Sequence, residues 1–320
     1  MPERAAGRRL GYRPWRRAGF DFLVVALPVV VAFAVLPSLY SNQLLLFNFV
    51  MFLALSQGLN AIYGFTGFLP FGYVGFFGAG AYGFAITVMH LHASPLAAMA
   101  AAGAAAVLLG LVLTPLLRLS GAYFAIANLA AAVAVYQVVS NPDLQDITKG
   151  PYGVALSSVF APTTSYDVAL AILAGSLVLV IWLRNSRFGL ALQAIREDPV
   201  SAAMAGVSVV RGRTIAWLLS ALIAGLVGGV FAWHISVFYP ETAFDVSISI
   251  FAIVFTLFGG ATTLTGPILG VLLLYGLYNF IGITVPQYFQ LIYGVLIVAL
   301  VLFLPDGLVS LATRRGIRVP

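Results

Sequence analysis

Apolar residues come in long runs along this chain, separated by short polar or Gly/Pro-rich segments. Runs long enough for a helix to cross a bilayer, about 20 residues each, fall near 20–38, 43–63, 70–89, 95–117, 121–140, 167–183, 213–238, 244–262, 264–281 and 288–304. Ten membrane-spanning helices are therefore expected, an all-α polytopic architecture. Ser94 followed by Pro95 reads as the N-cap and first-turn proline of the fourth helix. Small residues dominate that helix, as in AAMAAAGAAA at 97–106, and let neighbouring helices approach closely in lipid.

One interruption is too polar to span: SRFGLALQAIREDPVSAAMAGVSVVRGR at 186–213. Phe188, Leu192 and Ile195 recur at i, i+4 and i+7, one face of a short helix. Asp198 then suits an N-cap, Pro199 a first turn, and Gly206 the C-cap of a second short helix. Helix, corner and helix would lie on the membrane surface, against headgroups or in a groove on another protein. Glu197 and Asp198 beside Arg196 favour the protein partner.

Composition makes the bilayer the solvent for most of the chain: 62% of the 320 residues are hydrophobic and 8% charged, against about a quarter charged in soluble domains. The absence of cysteine excludes disulfides and thiolate metal sites. A net charge of +6 could suggest nucleic acid, but the placement of the charges argues otherwise. With the N-terminus inside, the inner segments collect Arg4, Arg8, Arg9, Arg13, Arg16 and Arg17, then Arg118, then Arg184, Arg187, Arg196, Arg211 and Arg213, then Arg314, Arg315 and Arg318. Of the 16 Lys and Arg residues only Lys149 is left outside, where Asp143, Asp146, Asp167, Glu241 and Asp245 also fall. This is the positive-inside pattern, with both termini cytoplasmic. The basic segment 1–19 reads as a retained cytoplasmic tail, since no A-x-A-like cleavage site follows it, and 306–320 as a second tail.

Five helices precede the outer loop 141–166 and five follow, so the halves enter the membrane from opposite sides, as in inverted-repeat transporters. Both halves carry a Gly-rich patch, 63–83 and 258–270, without a convincing alignment between them.

Several motifs are set aside. GAGAYG at 78–83 fits a dinucleotide fingerprint, but it lies inside a spanning run and reads as a close-packing face or a helix irregularity. Lys149 stands in no phosphate-cradling loop, so ATP could act only through a partner. His90 and His92, two apart, point to different helix faces and make a poor metal pair; His234 could line a pathway or simply pack. No acid or base falls mid-span, where proton- or ion-coupled carriers place them. Mid-span polarity is neutral, in Asn48, Gln57, Asn60, Asn128, Gln137, Thr256 and Asn279. Such groups either line a path for a small solute or hydrogen-bond helix to helix.

Five stretches carry a family likeness: GFTGFLPFGYVGFFGAGAY (64–82), GAYFAIANL (121–129), TKGPYGV (148–154), SRFGLALQAIREDPVSAAMAGVS (186–208) and FGGATTLTGPILG (258–270). Together they resemble the membrane subunits of ATP-binding-cassette importers for branched-chain amino acids and the related urea and amide permeases. The resemblance implies a single permease domain over 20–305 for branched-chain or other small amino acids, with no catalytic residue, metal or cofactor of its own. It implies a second related permease subunit, a heterodimer, two cytosolic ATPases that hold ATP and Mg, and an extracytoplasmic solute-binding protein. The location implied is the bacterial inner membrane.

In that scheme the loop 184–212 couples to the ATPase, with Arg187, Gly189, Ala194, Arg196, Glu197, Asp198, Ala202, Ala203 and Gly206 on the motif. Thr148, Gly150, Pro151 and Gly153 would face the binding protein, and Asn60, Thr66, Tyr73, Tyr82, Asn128, Gln137 and Thr256 are the pathway candidates. The chain departs from the family pattern at Leu190 and Gln193, where arginine is frequent, at Pro70 and Tyr73, where Ser and His are, and at Thr262, where glycine is. The alanines after Leu129 replace a stretch that commonly carries an acid. The alternatives are a urea or amide permease and, in another class, a self-sufficient carrier or channel for a small neutral solute.

Overall fold

The structure, a computed structural model, describes residues 22–284 and, beyond them, Gln287, Tyr288, Leu291, Gly294, Val295, Val298 and Leu308. The tail 1–19, most of the tenth expected helix (288–304) and all but Leu308 of the tail 306–320 lie outside the described residues. Among the described residues nine helices are long and apolar enough to cross a membrane. In chain order, α1 is Phe22–Leu39, α2 Gln43–Gly64, α3 Val74–Leu91, α4 Pro95–Val112, α5 Gly121–Val139 and α6 Pro162–Asn185. Two short helices follow, α7 (Arg187–Glu197) and α8 (Pro199–Met204). The long α9 (Val209–Ile235), α10 (Val246–Gly259, after the turn Pro240–Ala243) and α11 (Thr265–Thr284) complete the described fold.

The termini of these helices follow their caps. Ser94 Oγ accepts from the Ala97 amide as expected, and Pro95 opens α4. The third helix starts at Val74 rather than near 70, because TGFLPFG at 66–72 carries Pro70 between two glycines, which favour non-helical backbone. The sixth starts at Pro162 rather than 167; Thr163, Thr164 and Ser165 extend it at an end where a hydropathy window sees only polarity. A pair of two-residue strands, β1 (Val154–Ala155) and β2 (Val237–Phe238), ties the 140–161 connection to the one after α9, pairing Val154 with Phe238 and Ala155 with Val237. Strands that short leave no alternation for sequence to show.

In lipid, apolar side chains gain little by turning inward, so the packed face is chosen by how closely backbones can approach. In the central layer α3, α4 and α9 meet on small residues. A Cβ on Gly80 would run into the Gly225 carbonyl oxygen, one on Gly228 into the Phe77 carbonyl, and one on Gly225 into Ala106. Within GAGAYG each glycine serves a different neighbour: Gly78 lies under the Phe244 ring, Gly80 on α9 and Gly83 on α4 at Ala105. The motif is a three-way packing face, as its place in a spanning run suggests. Large rings fill the wider gaps beside it, with Trp217 donating to the Gly110 carbonyl at 2.9 Å and stacked edge-on against Phe76. By contrast α1 turns most of its surface outward, with 11% of its window buried against 83% for α2.

The two ends differ in charge. Arg118, Arg184, Arg187, Arg196, Arg211 and Arg213 cluster at one end, with Glu197 and Asp198; Asp143, Asp146, Asp167, Glu241 and Asp245 lie at the other, with Lys149. Both Gly-rich patches reach the basic end, where the Thr262 amide bonds Asn60 Oδ1 at 2.9 Å. Counterparts in an inverted repeat would stand at opposite ends, so these patches are contact partners rather than repeat equivalents.

Close approach at the α3–α9 crossing is a stability requirement. Gly80→Ala is expected to lower the melting temperature of the purified protein through an overpacking cost of about 1–3 kcal/mol. Gly175→Ala, at an open exposed position on α6, should leave it unchanged or raise it; equal effects in a fluorescence melt would refute the crossing.

Candidate functional site

Two connections at the basic end carry non-helical backbone, at 67–73 and at 260–264. Residues 65–73 link α2 to α3, and 260–264 link α10 to α11. The first folds back deeply: the Val74 amide bonds Ser249 Oγ at 2.7 Å, one turn into α10 from the opposite end. Non-helical backbone at such depth needs partners, since each unmet amide or carbonyl costs several kcal/mol in hydrocarbon. Those partners come from other helices. Asn128 of α5 accepts the Gly72 amide at 2.7 Å, and Tyr73 donates to the Ser220 carbonyl of α9 at 3.1 Å. In the second break Gln57 Nε2 donates to the Leu264 carbonyl (2.8 Å), and Asn60 grips both sides, donating to Thr263 O and accepting from Thr262 N, each at 2.9 Å.

Most pathway candidates are accordingly bonded to backbone. Thr256 donates to Ala252 and Ser56 carbonyls and Thr66 to Ile62 O. For Asn60, Asn128 and Thr256 the structure shows helix-to-helix or helix-to-break hydrogen bonding, one of the two roles open from sequence. Gln137 and Tyr82 differ. Gln137 lines an open pocket of about 320 Å³ with Tyr136 and Glu241, walled by Val74, Ala132, Val133, Phe244 and Val246. Tyr82 is buried against Phe244, its ring stacked at 6.1 Å, with no partner for its hydroxyl among the described residues. Ser249 and Glu241 carried no sequence signal of a role, being an ordinary serine in an apolar run and one of several outer acids. His234 stacks on Phe47 at 3.9 Å with Ser165 Oγ 2.9 Å from its Nδ1, and no His/Asp/Glu cluster fit for a metal occurs among the described residues.

The polar interruption forms the elbow its pattern implies. Ser186 Oγ accepts from the Gly189 amide at 3.0 Å and starts α7; Asp198 Oδ1 accepts from Val200 at 2.9 Å and starts α8; Gly206, φ +85°, ends it. Gly189 is pressed against the Leu183 carbonyl, which leaves no room for a Cβ. Leu192 and Ile195 are fully buried toward Gly212 of α9, and Ala202 is buried too. Arg187, Glu197, Asp198, Ala194 and Ala203 are exposed. Exposed apolar side chains stand among them, Met204 at 86% and Val200 at 68%. Arg196 turns inward instead, donating to the Gly64 carbonyl at 2.5 Å beside the Tyr63 ring, while Arg213 stacks over Phe68 at 4.5 Å. One arginine thus ties the elbow, and a second ties the start of α9, to the 65–73 break. The Asp198 carboxyl is kept below its usual range, first by the Ser201 hydroxyl and then by the Val200 amide.

At the opposite end Thr148 donates to the Val139 carbonyl at 2.8 Å and accepts from Gly150 N at 3.1 Å. Lys149, Gly150 and Gly153 all take positive φ, so TKGPYG is a built turn rather than slack loop, with Pro151 and Tyr152 exposed at its tip. It joins β1 directly, and Gly153 is held close to Tyr239 beyond β2.

A family described as a branched-chain amino acid transport system permease component matches residues 39–301. The high-affinity branched-chain amino acid permease protein LivM of Salmonella typhimurium is 29% identical over 93% of this chain and 76% of that protein. The probable branched-chain amino acid permease LivH of Methanocaldococcus jannaschii is 28% identical over 43% of the chain and 45% of its own length. The fructose import permease FrcC of Rhizobium meliloti is 32% identical over 42% of the chain and 39% of that protein. No solved structure matches.

Thr262 has φ +79°, a conformation that is strained for a β-branched residue. Thr262→Gly should remove about 1 kcal/mol of strain net of glycine entropy, seen as a small rise in melting temperature; a fall would show the threonine is needed there. Asp198 contributes above its unfolded carboxyl value and loses that contribution as pH falls through its lower folded one. Asp198→Ala should therefore speed amide exchange in α8 several-fold at neutral pH, and acid should narrow the difference from wild type.

Proposed function

The chain belongs to the branched-chain amino acid permease-component family, and on that premise we propose that it is the membrane subunit of an ATP-driven importer of branched-chain or other small amino acids. Its basic end faces the cytoplasm, by the positive-inside bias, and the TKGPYG turn faces outward toward a solute-binding protein. Two cytosolic ATPases carry ATP and Mg, a second related permease completes the membrane pair, and the location is a bacterial inner membrane. This subunit performs no chemistry on the solute. Its work is to change which side of a two-state bundle is open.

The observation that carries this reading is the elbow. A partner-facing surface of mixed charge and bare apolar residues, Glu197, Arg187, Val200 and Met204, sits outside the bundle. Its underside is fastened by Arg196 to the carbonyl of Gly64, where the broken segment begins. An ATPase that moves the elbow would strain that fastening first. The break would then be displaced against Asn128 and Ser249, whose side chains hold its amides. A self-sufficient carrier has no use for such a handle, and an ion-coupled one would want a mid-span acid.

Co-purification tests it. Glu197→Lys with Met204→Asp changes only exposed side chains and should weaken capture of the cognate cytosolic ATPase at least about tenfold, with loss of leucine uptake in the reconstituted importer. Unchanged ATPase capture and uptake would sink the coupling role.

A further inference from the structure

The pocket between α3, α5 and the turn before α10 has a composition that selects a solute by charge. Glu241, in the turn Pro240–Ala243 at the acidic end, is the charged residue of its wall. The far side is Val74, the first residue of α3, directly after the 65–73 break. The cavity therefore joins the outer end of the protein to the segment that the elbow holds from below.

An anion would meet the Glu241 carboxylate and no cationic side chain in this wall. The start of α3 offers its dipole, but its donors are taken: Gly72 N by Asn128, Val74 N by Ser249, Gly75 N by the Gly72 carbonyl and Phe76 N by the Tyr73 carbonyl. A cation meets the Glu241 carboxylate. A branched aliphatic body meets Ala132, Val133 and Val246, and Tyr136 and Gln137 supply hydrogen-bonding groups beside it. The volume of about 320 Å³ is at the small end of ligand pockets. Behind the walls two buried polar groups have no partner among the described residues, Tyr82 Oη next to Phe244 and Asn128 Nδ2 one turn from Ala132.

We propose that this pocket is an outward-facing subsite of the permease that receives the ammonium end of the solute at Glu241 and its branched aliphatic part on the α5 wall. The proposal rests on the amino-acid reading for its occupant and on the pocket alone for its charge preference.

The chain has no cysteine, so one thiol can be placed in the wall. In the assembled importer in membrane vesicles, Val133→Cys should react about tenfold faster with a trimethylammonium thiosulfonate than with the sulfonate reagent of similar size, each rate taken relative to that reagent's rate with a free thiol. Isoamylammonium should slow the labelling and isocaproate should not. Glu241→Gln should bring the reagent ratio near one and abolish protection, Glu241→Asp should keep both, and Ser157→Cys on the outer connection should ignore the Glu241 variants. A ratio unaffected by Glu241→Gln, or equal protection by isocaproate, overturns the subsite. Leucine uptake in the same vesicles separates the two readings. Charge selectivity without uptake would sink the amino-acid assignment and leave the cation-receiving pocket; uptake without selectivity would do the reverse.

Discussion

Among the described residues, the two breaks in helix at depth depend on hydrogen bonds supplied by different helices. Water cannot solvate a bare amide in hydrocarbon, so the break at 65–73 exists only because Asn128 and Ser249 stand where its amides arrive. The break at 260–264 exists because Gln57 and Asn60 reach across from α2. These bonds turn local irregularity into a property of the whole bundle. Moving α5 or α10 against α3 uncovers amides that have no other partner, so the alternatives are discrete arrangements rather than gradual drift.

Glycine and alanine set the counterpart to this mobility. The α3–α4–α9 layer is locked by contacts with no space for a methyl group, as between Gly80 and the Gly225 carbonyl. Beside this rigid layer lies α5, most of whose surface is turned outward. The elbow touches the layer and the break. Leu192 and Ile195 anchor it on α9, and Arg196 extends from the same helix to the carbonyl at the start of the break. Arg196 of the elbow, on the Gly64 carbonyl, and Val74 of the pocket wall thus border the same segment from its two ends.

Family membership fits this construction. The family match, residues 39–301, takes in both breaks, the elbow at the basic end and the acidic end opposite it. The similarity to a fructose permease over part of the chain is consistent with a shared machine whose solute is chosen by local pocket residues. In this chain the proposed subsite would put that choice on Glu241, Gln137 and the aliphatic wall of α5.

What sequence alone determined follows from local physics. Run length against bilayer thickness marks the spans, capping residues mark the second half of the elbow at Asp198 and Gly206, and arginine placement marks the ends. Glycines inside a spanning run mark close packing. Tertiary structure decided the rest, because hydrogen bonds between residues about 200 apart leave no periodic trace. Asn60 and Asn128 could be recognised as polar groups in oil, but only the fold shows that their amides hold the two breaks. Arg196 sits among docking residues in sequence and turns inward in space, since the Gly64 carbonyl that it bonds lies 132 positions away along the chain and beside it in the fold.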